Sequence, residues 1–154
     1  MTDLPALLAR VEAARGPDRE IDAAIFCVLC CTRENTDSDM MELINAGRYN
    51  DVICKMVGSG AGWVAFPPLY TSSLDATVAL VEKVRPNWNV VSGHSWMLSS
   101  THPSTFPNYI CEMEPRPQGT FRTFAYGHTE PLSRLVALLR SMIEEEEEEE
   151  EERK

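Results

Sequence analysis

The sequence predicts an α+β fold, a mainly antiparallel sheet flanked by helices in an α+β sandwich, built as a single domain. Three observations carry that expectation. Apolar residues recur at helical spacing in four well-separated segments. Between them lie short alternating or β-branched runs joined by turn-sized gaps, which suit hairpins rather than crossovers. A chain of 154 residues also fits one core, able to bury roughly two thirds of the surface exposed when unfolded.

Taken in order, Leu4, Leu7, Leu8 and Val11 fall at i, i+3, i+4 and i+7, with Thr2 or Asp3 as cap and Gly16-Pro17 as stop. A second helix begins at Asp18 and carries Ile21, Ala24, Ile25, Val28 and Leu29 on one stripe. Residues 23–31 contain no charge on any side. Such a helix must be covered twice, either between other elements of the chain or by a subunit contact involving Phe26, Cys27 and Cys30. The chain then turns polar, with a short helix from Asp37 or Ser38 through Leu43 ended by Ala46-Gly47. Residues 51–57 and 63–66 read as two strands joined by the glycine-rich linker 58–62.

Ser72 and Asp75 have the spacing of a capping box, with Asp replacing the usual Glu. Leu74, Val78, Val81 and Val84 form the expected buried stripe of the helix that follows, and Pro86 forces its exit. Residues 88–92 and 95–99 read as two strands around Gly93, and residues 109–114 and 120–126 as another pair turning at Arg116-Pro117-Gln118-Gly119. In the second pair Tyr109, Cys111 and Met113 face one way and Ile110, Glu112 and Glu114 the other. Thr129-Glu130-Pro131 opens the last helix, whose Leu132, Leu135, Val136, Leu139, Met142 and Ile143 make a core stripe.

The formal net charge of −10 is mostly local. Nine glutamates at 144–152, with Arg153 and Lys154, account for −7 of it and leave −3 for residues 1–143. The division is therefore one α+β domain over 1–143 and an acidic tail over 144–154, either extending the last helix or disordered. Basic residues are scattered, which excludes a nucleic-acid stripe. No stretch approaches the ~20 apolar residues needed to span a bilayer, so a soluble protein without a membrane partner is expected. The N-terminus lacks a secretory pattern, and the five cysteines are expected to be reduced, as in a cytosol.

Few residues form a recognisable chemical constellation. Cys27 and Cys30 have C-x-x-C spacing but sit in an apolar helix with no second ligand pair, so small buried side chains are expected and no metal or other cofactor. His102-Pro103-Ser104 is half of a two-histidine phosphoesterase pattern. His94 falls in a hairpin turn and His128 precedes the last helix. Strand alternation places Arg122, Phe124 and Tyr126 on one face, where with Trp96 and His94 they form the candidate ligand site: a planar base would stack and a phosphate pair with the arginine.

Three blocks carry a family resemblance: Gly16-Pro17-Asp18-Arg19-Glu20-Ile21-Asp22, then Tyr70-Thr71-Ser72-Ser73-Leu74-Asp75-Ala76 with Trp88 after the helix, then Thr129-Glu130-Pro131-Leu132 opening an Ala/Leu-rich final helix. Together they resemble a family of small phage and prophage proteins described as a phage α/β/α sandwich domain. Residues 32–66, the glutamate run and the Glu-Pro-Leu start depart from the family pattern. The resemblance implies a phage accessory protein of the infected bacterial cytoplasm, and it brings no catalytic residues. By analogy of genetic context, the expected role is a non-enzymatic counter-defence protein sequestering a small nucleotide-derived immune signal, in a pocket between sheet and helix or at a homo-oligomer interface. Two alternatives stand beside it: an inhibitor whose acidic tail engages a basic protein surface, and a phosphodiesterase using His102.

Overall fold

The computed structural model describes residues 4–58, 67–94, 109–115 and 122–153. Within them the chain forms α1 (Leu4–Ala13), α2 (Arg19–Cys30), α3 (Ser38–Asn45), α4 (Tyr49–Gly58), α5 (Leu74–Val84), β1 (Trp88–His94), β2 (Tyr109–Pro115), β3 (Thr123–Gly127) and α6 (Glu130–Glu152). The fold is α+β, of single-domain size. The three strands make an open antiparallel sheet in the order β1-β2-β3.

Helix starts follow local chemistry. Asp18 accepts from the backbone N–H groups of Glu20 and Ile21, Asp37 from Met40, and Thr129 from Leu132, each satisfying donors that have no intrahelical partner. Gly47 ends α3 in the left-handed region at φ 70°, which glycine adopts without a Cβ penalty. At α5 the cap is Ser73 rather than the expected Ser72: its hydroxyl accepts from Ala76 N–H, so the third helical position is alanine and no reciprocal box forms. The register of the buried stripe moves accordingly. Thr77, Leu80 and Val81 are buried, Val78 and Val84 are half-buried, and Leu74 is 37% exposed.

Residues 51–57, read from the sequence as a strand, lie in α4. Tyr49, Val52, Ile53, Met56 and Val57 fall at i, i+3, i+4, i+7 and i+8, a helical stripe that tertiary packing selects over the β preference of its Val and Ile side chains. The expected strands at 63–66 and 95–99, most of the linker 58–62 and the turn at 116–119 lie outside the described residues. β1 runs through Gly93 to His94, so His94 is a strand residue paired with Tyr109 rather than a turn.

α6 packs on all three strands. Its Leu132, Leu135, Leu138 and Leu139 are fully buried, each contributing about 2 kcal/mol of transfer free energy. They meet Cys111 and Met113 of β2 and Thr123 and Ala125 of β3, none more than 2% exposed. Gly127 is the close-approach point: a Cβ there would lie 2.4 Å from Ser133 N. On its other side α6 contacts α1 and α5, and Arg140 reaches both Glu12 of α1 and the Phe124 carbonyl on the β3 edge.

The fully apolar part of α2 is covered twice from within the chain. Ile21, Ala24, Ile25 and Cys30 join the main core, while Cys27 and Cys31 join a smaller core with Ile44 of α3 and Val52 of α4. The subunit contact invoked for Phe26, Cys27 and Cys30 is therefore not needed to cover this helix, since Cys27 is fully buried, Cys30 8% exposed and Phe26 packed between both cores.

The resemblance blocks interlock. Asp18 N–H donates to Thr71 Oγ1 (2.8 Å), and Thr71 N–H donates to Oδ1 of the buried Asp22 (2.7 Å). Arg19 holds the other carboxylate oxygen at 3.0 Å. Tyr70 lies 3.9 Å from the Cys30 sulfur. The first block starts α2, the second starts α5, and their wording joins the two helix entries.

Candidate functional site

A cleft of about 270 Å³ opens where the end of α5, the start of β1 and the first turns of α6 meet. Val78, Val81 and Val90 supply apolar lining, Trp88 an aromatic ring, and Arg85 and Arg134 the cationic groups, with Glu82 and Pro86 completing it. The volume sits just below the ~300 Å³ at which sites for drug-sized ligands begin, so it suits a small ligand.

Arg85 caps α5, its N–H donating to Val81 carbonyl, and the following proline turns the chain into β1. Its guanidinium lies over the Trp88 ring at 5.2 Å and its Nη2 pairs with Glu145 at 2.6 Å. Its Nε is buried and has no hydrogen-bond partner among the described residues. Such a donor costs about 1–3 kcal/mol when left unsatisfied. Arg134 donates from Nε to Ser92 Oγ at 2.9 Å, and its Nη2 lies 3.7 Å from Glu130. Ser92 in turn donates to Glu130, so serine, arginine and glutamate hold one another where β1 meets the start of α6. Both arginine side chains are only 14% exposed.

The aromatic and arginine residues expected to form the ligand site divide differently. Arg122, Phe124 and Tyr126 do share one face, the one opposite α6, and Val91, Phe124 and Tyr126 are 68%, 47% and 43% exposed on it. Behind those three residues, on the α6 side, Cys111, Met113, Thr123 and Ala125 are packed core. Arg122 is held by two carboxylates, Glu112 at 3.1 Å and Glu114 at 3.1 Å, which neutralise it as an anion receptor. His94 stacks on Tyr109 with ring centroids 4.3 Å apart, and strand alternation assigns both to the other face. Trp96 and His102 lie outside the described residues.

Arg85 and Arg134 were not singled out by sequence reasoning, and Trp88 was noted only as the Trp after the α5 helix in the resemblance, not as a site residue. The signal was present as Arg85-Pro86-Asn87-Trp88, a cation and an indole bracketing a forced helix exit. A wider depression of about 820 Å³ runs over α3 and α4 beside Asp39, Glu42, Arg48, Asp51 and Lys55. Its lining mixes both charge signs and leaves no buried donor unpaired, so size alone does not make it the better site.

The cysteines are all free. A hydrogen bond from the Cys27 thiol, with help from Thr36 and Lys83, lowers the Cys31 thiol to about 7, against the opposing effect of burial. The same hydrogen bond, then burial, pushes Cys27 upward. Burial pushes Cys111 up to about 12, and it raises the Tyr70 hydroxyl as well.

Comparison of the chain with family models, curated proteins and solved structures finds no match. The phage-family resemblance thus rests on the three sequence blocks alone.

Proposed function

We propose that the chain is a non-enzymatic binding protein that holds a small, anionic, ring-bearing ligand of the nucleotide-derived class in the cleft between α5, β1 and α6. The observation that carries this reading is the buried, unpartnered Nε of Arg85 beside a second largely buried arginine and an indole. A phosphate would complete the guanidinium hydrogen bonds, Arg134 would share its charge, and Trp88 with the valines would take the ring. Glu145 competes with that phosphate for Arg85, and salt screens the attraction of the phosphate to both arginines, so affinity falls as salt rises. Following the sequence resemblance, the setting is an infected bacterial cytoplasm and the role sequestration of an immune signal.

Isothermal titration of the full chain against cyclic nucleotides and ADP-ribose derivatives, followed by denaturation and recovery of the ligand, tests this. Binding with intact ligand recovered is the expected result. Altered ligand supports the phosphodiesterase reading and calls for His102→Ala; no heat with any member of the panel contradicts the proposal. Arg85→Gln should weaken binding by about 10- to 100-fold, the loss of one or two charge-assisted hydrogen bonds, with the circular dichroism spectrum unchanged.

A second reading has its own support, in the outer sheet face. Val91, Phe124 and Tyr126 are exposed there beside the Arg122 ion pairs, and α6 ends in exposed glutamates. A protein or a second copy lying on that face would complete an α/β/α sandwich, and the acidic helix end would meet a basic surface. Sedimentation of the wild type against Val91→Lys checks the self-association arm.

A further inference from the structure

The glutamates at 144–152 continue α6 as helix although local electrostatics oppose it. Side chains four apart along the run repel one another, and negative charge at a helix C-terminus works against the macrodipole. No buried face compensates, since residues 145–152 are exposed. Three side-chain contacts act against the repulsion. Arg153 pairs with Glu149 at 2.9 Å within the helix. Glu144 accepts from the Thr123 hydroxyl of β3 at 2.7 Å, and Glu145 pairs with Arg85 at 2.6 Å. Among the described residues only these last two side-chain contacts tie the run to the body of the fold, and the ion pair is made to the arginine of the cleft.

That arginine is divided between two roles. Its Nη2 serves Glu145 and, at 3.5 Å, the Ser141 carbonyl, both on α6. Its Nε is buried without a partner among the described residues, and its guanidinium lies over Trp88 in the cleft. Glu145 thus stands where one oxygen of an anionic ligand would bind, on a side chain that is itself 52% exposed and free to swing away. We propose that the Arg85–Glu145 pair is a latch coupling the cleft to the acidic end of α6: an anion entering the cleft takes Arg85 from Glu145, and the released run loses its helical order. The latch deepens the anion-site reading given above and rests on it. Two effects push the same way, because the anion removes the one ion pair that anchors the run and adds negative charge beside it. Such coupling is reciprocal, so anything that draws the run off the body raises the affinity of the cleft for an anion by the same factor.

Hydrogen exchange of the full chain, quenched on the millisecond scale and read by mass spectrometry over residues 146–152, tests the latch with and without inorganic pyrophosphate as the probe. Without pyrophosphate, Glu145→Gln and Arg85→Gln should each exchange about 5-fold faster than the wild type, the scale of a half-exposed ion pair, and the double variant no faster than either single one. The direction is diagnostic: removing one like charge without a latch slows exchange, as Glu148→Gln should. Pyrophosphate should speed exchange in the wild type, and Glu145→Gln should bind it about 5-fold more tightly. Should Arg85→Gln lose its fold by circular dichroism, Glu145→Gln and the pyrophosphate arm decide. Exchange in Glu145→Gln equal to or slower than in the wild type overturns the latch whatever the cleft binds. Equal pyrophosphate affinity in Glu145→Gln and the wild type overturns it while leaving the anion site standing, whereas no pyrophosphate binding by either removes the anion site and the latch together.

Discussion

Asp22 shows how much one buried carboxylate does here. It accepts from Thr71 N–H and pairs with Arg19, and so joins the start of α2 to the start of α5. Asp22→Ala leaves the Thr71 amide buried without a partner and should cost about 1–3 kcal/mol, read as a lower urea midpoint. Gly127→Ala should destabilise by a similar amount, about 1–3 kcal/mol, because the added methyl meets backbone of α6 rather than a side chain that can turn away. Cys111 gives a pH dependence. Its thiol is raised from 9.0 to about 12 in the folded chain, so its contribution is complete below pH 9 and is lost as pH rises toward 12, where only the unfolded chain ionises. Cys27 and Tyr70 shift the same way. Urea midpoints should fall through this range, and less steeply in Cys111→Ala than in the wild type.

At the scale of elements, legibility followed the strength of local signals. α2, α3 and α6 were readable because Asp18, Asp37 and Thr129 cap where the sequence suggests; α1 was readable from its apolar periodicity, its expected cap at Thr2 or Asp3 lying outside the described residues. α4 was not readable as a helix, because residues 51–57 are rich in β-branched side chains and their helical stripe shows only when Tyr49 and Met56 are counted with Val52 and Val57. The acidic run is helical through Glu152, and its parts differ in role. Glu144 accepts from the Thr123 hydroxyl and Glu145 pairs with Arg85, while 146–152 are exposed. Deleting residues 146–154 should change stability by less than about 0.5 kcal/mol, as for surface changes away from buried features. Deleting 144–154 should destabilise measurably and alter the cleft through Arg85. Like charges spaced i,i+4 oppose the helix, so helical content by circular dichroism should rise in the full chain on adding salt.

At the scale of the whole molecule, an antiparallel sheet and the alternation of β2 were readable from the sequence, but the pairing of β1 with β2 was not, since residues 88–92 were expected to form a hairpin with 95–99, which lie outside the described residues. Which sheet face would bear the ligand was not. The aromatic face looked functional in sequence because Arg122 alternates with Phe124 and Tyr126, yet two glutamates on the neighbouring strand occupy that arginine. Seven of the eight described residues lining the cleft fall within positions 78–90, and only tertiary packing brings Arg134 of α6 to them. Arg85 Nε is buried there without a hydrogen-bond partner among the described residues, and the proposed ligand is one that would supply it. The most direct measurement is isothermal titration of the wild type and Arg85→Gln with a panel of cyclic nucleotides and ADP-ribose derivatives. Saturable, salt-sensitive binding by the wild type and a loss of about 10- to 100-fold in the variant are expected; equal affinity in the two folded proteins, or no binding by the wild type, would rule out Arg85 as the anchor of an anionic ligand.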